Sequence, residues 1–165
     1  MRYNTANTNH LNIARRTIVS VLCLLTPLAF SAENDGVEKE FINSTPTYTH
    51  VVTVVNGDVK TLYVSGQVGS RDGEVPETFA EQIELVFANM SDHLAAAGAS
   101  MVDVIKLNGY IVDINRDKVN AYSQARSRYF SDDLPPPAST LVGVAGLVRD
   151  YFLVEVEAVA VIPAS

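Results

Sequence analysis

Between Thr78 and Gly98 the chain carries a pattern that only a helix laid against an apolar surface can satisfy. Phe79, Ile83, Val86, Phe87, Met90, Leu94 and Ala97 recur every three or four residues, so a 3.6-residue helix gathers them onto one stripe. Thr78-Phe79-Ala80-Glu81 has the form of a capping box, and Gly98 is a natural stop after the last turn. A helix with one apolar stripe must be covered by a sheet or by other helices. The remaining segments have to provide that cover.

They read mostly as strands. From Tyr48 to Val55 the β-branched content rises, Asn56-Gly57-Asp58 supplies a turn, and Thr61 to Val68 continues, so residues 48–68 are expected to form a hairpin. Val68 to Pro76 is rich in glycine and charge and reads as loop. Val102 to Val112 alternates, with Ile105, Leu107, Gly109 and Ile111 on one face and Val104, Lys106, Asn108 and Tyr110 on the other. Asp117 is placed to cap a second helix, whose narrow stripe is Val119, Tyr122, Ala125 and Tyr129. Pro135-Pro136-Pro137 cannot continue a helix and forces extended backbone into the strand Ser139–Val144. Phe152 to Ile162 is the last strand, joined to it through Gly146–Tyr151. The expected order is ββαβαββ: an α+β domain, one mixed sheet with two helices on one face. Because the last strand is apolar on both faces over much of its length, more of the sheet should be buried than two helices can cover.

The first 32 residues read differently. Arg15 and Arg16 precede an apolar run from Thr17 to Phe30, followed by the small residues Ser31 and Ala32, which is the layout of a secretory signal. The run is short for a membrane span of about 20 residues; an uncleaved anchor is the alternative. Cys23 follows Val21 and Leu22 and makes a poor lipid-attachment site. The expected organisation is a signal over residues 1–32, a polar lead-in over 33–47 and one domain over 48–165. Export, periplasmic or fully secreted, follows, with no stable membrane span after processing. Removing the signal leaves nine basic against nineteen acidic residues, a net charge near −10, and no cysteine. Such a chain forms neither disulfides nor a thiolate nucleophile. Its charge opposes binding to nucleic acid.

Few residues point to chemistry. Glu155 and Glu157 share one face of the last strand with Leu153, Val159 and Val161. A carboxylate in an apolar row loses hydration, its pKa rises, and it becomes a candidate general acid or base; equally, a strand glutamate can face solvent or pair with a cation. Ser65-Gly66 is small enough for a ligand to approach the backbone, or is simply a strand end that needs room. No Gly-x-Ser-x-Gly elbow surrounds Ser65. His50 and His93, the histidines outside the N-terminal region, read as strand surface and solvated helix face. With no cysteine beside them and no ligand spacing, neither a metal nor a cofactor is expected.

Ser65-Gly66-Gln67, Pro137-Ala138-Ser139-Thr140 and Val154-Glu155-Val156-Glu157-Ala158-Val159-Ala160, in this order and spacing, resemble the RidA (YjgF-like) family of imine/enamine deaminases. The resemblance implies a RidA/chorismate-mutase-like fold, a homotrimer around a central barrel, and inter-subunit clefts that bind a small molecule. It implies a water-activating role for Glu155, leaves Glu157 a structural or interface acid, and puts Tyr48, Ser65, Gly66 and Asn120 in the cleft. Members that hydrolyse imino acids carry Pro-Ala-Arg-Ser, whose arginine grips the substrate carboxylate; here Ser139, with Thr140 beside it, stands in that place. A guanidinium holds a carboxylate by two charge-assisted hydrogen bonds, whereas a hydroxyl leaves the charge unmatched. The loss weakens an acid substrate by roughly 10²–10³-fold. Three readings follow: a hydrolase of imines or enamines with altered substrate choice, a non-catalytic small-molecule-binding trimer, and a structural trimer whose surface meets a partner.

Overall fold

A computed structural model describes residues 37–130 and 134–164. The expected signal over residues 1–32 lies outside them. Six strands form one sheet: β1 (Glu38–Ser44), β2 (Thr49–Asn56), β3 (Val59–Val68), β4 (Val104–Val112), β5 (Ala138–Val144) and β6 (Val154–Pro163). Helices α1 (Phe79–Ala96) and α2 (Arg116–Ser127) interrupt them, and a 3₁₀ turn, Met101–Asp103, leads into β4. The strands lie in the order β1-β2-β3-β6-β4-β5. Only β4 and β5 run parallel; every other pairing is antiparallel.

The fold is therefore α+β with both helices on one face, as the patterns imply, but the order is βββαβαββ. The expected polar lead-in over 33–47 contains β1. It was not legible because almost all of its side chains are exposed and show no alternation. Pairing with β2 makes it a strand, helped by an ion pair between Lys60 Nζ and Glu40 at 3.1 Å.

Two further expectations need correction. Asn115, not Asp117, caps α2: its side-chain oxygen accepts from the Lys118 N–H at 3.0 Å. Asx side chains favour this position because they satisfy an otherwise free amide. In β4, a bulge between Val104 and Lys106 shifts the alternation by one residue. Val104 consequently enters the core and Ile105 is left 53% exposed, the reverse of the simple alternation.

The core lies between α1 and the sheet. Ile83, Val86, Phe87, Met90 and Leu94 meet Val51, Leu62, Leu107, Val154, Val156 and Ala160, all essentially without solvent exposure. Phe87 also stacks on Tyr129 and meets Tyr122, which ties α2 to α1. Thr78 caps α1 by accepting from the Glu81 N–H. The helix ends at Gly98 (φ +81°), where Ala99 N donates back to Leu94 O at 2.9 Å. No helix among the described residues is long and apolar enough to cross a membrane.

Candidate functional site on the open face of the sheet

Alternation along β6 sorts its residues. Val154, Val156, Ala158 and Ala160 are buried under the helices, and Glu155, Glu157, Val159 and Val161 stand on the opposite face. Glu155 is flanked by Tyr110 of β4 and Val68 of β3. On β3 a bulge between Val64 and Gln67 spends two residues, Ser65 and Gly66, against one on β6. The Glu155 carboxylate lies directly over Gly66: a Cβ there would come within 1.8 Å of Oε1. Glycine at 66 is what leaves room for the acid.

Burial pushes the Glu155 carboxyl above the ordinary carboxylate range, and the neighbouring Glu157 charge pushes it further. Glu157 is held instead as an acceptor, taking Asn108 Nδ2 at 2.8 Å and Tyr110 Oη at 3.0 Å. It lines a cavity of about 290 Å³ with Ser65, Tyr63, Lys106 and Val159. The two glutamates thus have different environments: the Glu155 carboxyl is partly desolvated, and the Glu157 carboxyl is held by two side-chain donors. The ion pairs among the described residues join Lys60 to Glu40, Arg71 to Asp92 and Arg128 to Glu84, none of them at Glu155.

The other residues expected in the cleft fall into separate places. Ser65 Oγ donates to Thr49 O at 2.6 Å, so its hydrogen is engaged by the backbone. Thr140 shares the open face and accepts from Lys106 Nζ at 2.9 Å. Ser139 pairs with buried Leu107 and therefore points to the helix side, beside the Tyr122 hydroxyl. That hydroxyl is buried without a hydrogen bond of good geometry. Asn120 is exposed on α2. Within one chain, Ser139 and Asn120 therefore sit on the helix side of the sheet, and Glu155, Gly66 and Thr140 on the other.

Tyr48 lies with a pair of histidines. Its hydroxyl is 3.4 Å from His50 Nε2, and the His50 ring stacks on His93 of α1 at 3.9 Å and 14°. Asn43 reaches His93 Nδ1 at 3.0 Å, and Gln67 reaches His50 Nδ1 at 3.3 Å. His93 is therefore half-buried rather than solvated, and no sequence pattern signals a contact between residues 50 and 93. Burial lowers both imidazole pKa values, and His50 lowers that of His93 further. The folded state thus binds protons less readily than the unfolded chain. Stability held above the ordinary value near 6.5 is lost as pH falls through that value toward the lowered folded ones. The melting temperature is expected to drop on acidification in this window, and His93→Gln to flatten that drop; thermal denaturation across pH measures both.

Gln82 is the other polar residue that the helical pattern passes over. It is 1% exposed, and its amide uses every principal direction: Nε2 donates to Pro76 O and Tyr151 O, and Oε1 accepts from Leu153 N, each at 2.8 Å. It anchors the segment leading into β6, and hence the position of Glu155 two residues on.

One sheet with both helices on one face and a partly desolvated carboxylate over a glycine bulge on the other defines a small α+β protein with a candidate site on its open sheet surface. The model of the family described as Endoribonuclease L-PSP matches residues 36–162. The chain is 34% identical over 117 residues to the RutC family protein YjgH of Escherichia coli, covering 70% of this chain and 85% of that protein. It is 35% identical over 118 residues to the 2-iminobutanoate/2-iminopropanoate deaminase of Dermatophagoides farinae, with the same coverage of 70% and 85%. Among solved structures, RidA from an Antarctic Psychrobacter superposes with a TM-score of 0.61 at 29% identity, over 76% of this chain and 98% of that one. A structure of YjgH gives 0.63 at 31% identity, over 78% and 100%. The chain belongs to the RidA (YjgF/RutC) family.

Proposed function

We propose that this protein hydrolyses imine or enamine groups of small metabolites, with Glu155 activating the attacking water. The observation that carries this reading is the Glu155 carboxylate itself, partly desolvated, seated over Gly66, with Glu157 behind it raising its proton affinity. A base with a raised pKa takes a proton from water more effectively than an ordinary carboxylate. Relatives named 2-iminobutanoate/2-iminopropanoate deaminases support the chemistry. Ser139 supports a shift in substrate: neutral or cationic imines suit a site with no guanidinium at that position. The family model's description names an endoribonuclease, but a net charge of −7 offers a phosphate backbone little attraction.

The proposed assembly is a homotrimer, and the open face of the sheet supports it. Tyr63 is 51% and Val142 41% exposed there, beside Val52, Val159 and Val161, an apolar surface that helices do not cover. A second copy packed on this face also offers a way to bring Ser139 of one subunit toward Glu155 of another. Sedimentation is expected to give the mass of three chains, and Val159→Glu to release monomers by placing a charge in the interface. Export from the cytoplasm remains part of the proposal, and is tested by the N-terminal residue of the protein recovered from the producing cell.

The activity test is imine decay. Imino acids are generated in situ by an amino-acid oxidase, and their loss is compared with and without the protein and with Ser139→Arg. Activity of the unaltered protein is expected to be weak on imino acids and to rise about 10²-fold or more in Ser139→Arg. No acceleration by either form, on neutral imines as well as acidic ones, overturns the hydrolase reading. Saturable binding without turnover then supports the alternative, a non-catalytic trimer that holds a small molecule.

A further inference from the structure

On the helix side of the molecule, well apart in the fold from Glu155, a cavity of about 240 Å³ opens between α2 and the Leu134–Pro137 segment. Its walls are Val104, Phe130, Leu134 and the three prolines, with Ser123 and Arg126 on the α2 side. Proline contributes no N–H, and its ring is stiff, so that wall is apolar and preformed. The Arg126 guanidinium lies over the Phe130 ring at 5.4 Å. Its Nε is buried and has no hydrogen-bond partner. Buried donors in native proteins are almost always satisfied, so an unpartnered guanidinium N–H beside a cavity points to an acceptor that fills it.

We propose that this cavity is a binding site for a small monocarboxylate with an apolar body, its acid end on Arg126 and its body between Phe130 and the prolines. The chemistry selects the ligand. A single guanidinium prefers a planar carboxylate over a point anion, because two parallel N–H groups match its two oxygens. Among the described residues, Arg126 is the one cation on the wall, so a dianion would keep one charge unmatched. The volume is below that of sites for drug-sized molecules, which run from about 300 Å³ upward. The site shares no lining residue with the Glu155 face and does not rest on imine hydrolysis.

The test is calorimetric titration of the protein with benzoate and hexanoate, with benzamide as the neutral control. Saturable binding of a carboxylate, one per chain, with benzamide at least tenfold weaker, is expected. Arg126→Gln is expected to weaken carboxylate binding by about 10–100-fold, and Arg126→Lys by less, since it keeps the charge and loses the fork. Ser123→Trp keeps Arg126 and obstructs the cavity from an exposed position on α2; it too is expected to abolish binding, which covers the case in which Arg126 variants fail to fold. Glu155→Gln is expected to bind as the unaltered protein does. Absence of saturable binding, equal affinity for benzamide, unchanged affinity in Arg126→Gln or Ser123→Trp, or loss of binding in Glu155→Gln would each overturn the proposal.

Discussion

Glu155→Gln is expected to slow imine hydrolysis by about 10²–10⁴-fold, the usual contribution of a positioned general base, while leaving KM nearly unchanged. The amide matches the carboxylate in shape but cannot take a proton from water. The same substitution should stabilise the fold at neutral pH. The folded protein holds the Glu155 proton more tightly than the unfolded chain does. Its contribution to stability is therefore most favourable below the ordinary carboxylate value of 4.5 and declines as pH rises through the raised folded value. Glutamine carries no charge to desolvate, so the variant should melt above the unaltered protein at pH 7 and lose that advantage in acid. Initial rates of imine decay and melting curves across pH measure the two effects separately. An unimpaired rate in Glu155→Gln would remove Glu155 from the mechanism. Gly66→Ala reaches the same site from below: its methyl group would occupy the space of Oε1, so activity should fall although the glutamate remains.

Gln82→Leu is expected to cost on the order of 2–4 kcal/mol, because a side chain of similar size would leave the carbonyls of Pro76 and Tyr151 and the N–H of Leu153 without partners in a partly buried place. Chemical denaturation gives the loss directly. The fold should survive at low temperature, since the apolar core around Ile83 and Phe87 is untouched. Activity should nonetheless fall, because the segment before β6 is no longer anchored. Gln82→Glu separates the causes. It keeps an acceptor for Leu153 N but, when ionised, no donor for the two carbonyls, so its loss should also be large above the carboxylate pKa and shrink on protonation. Full stability in Gln82→Leu would show that water replaces the amide at all three positions.

How far the residues alone reach differs from element to element. The α1 stripe, its Thr78 cap and Gly98 stop, the Asn56–Asp58 turn and the final strand were legible because their periodicity or turn chemistry is local, carried by residues within a few positions of each other. β1 was not, since Glu38–Ser44 has no apolar face and becomes a strand only by pairing with β2. The exchange of Val104 and Ile105 was not, because a bulge is set by the partner strand and not by the strand's own alternation. The motifs Ser65-Gly66 and Glu155 pointed to one place, and β3–β6 pairing brings them together. Ser139, next to Thr140 in the chain, falls on the opposite face because adjacent strand residues alternate. Gln82, and the stack of His50 on His93, carry no sequence signal: a polar residue inside a helical stripe looks like a solvated gap until a loop from residue 151 closes over it. By itself, then, the order of residues determined the helices, most strands, the family's motifs and the charge, all properties of short stretches. Tertiary structure alone decided which carboxylate is desolvated, which glutamine is buried and which side of the sheet each site residue faces, because these depend on strand register and on contacts between residues far apart in the chain.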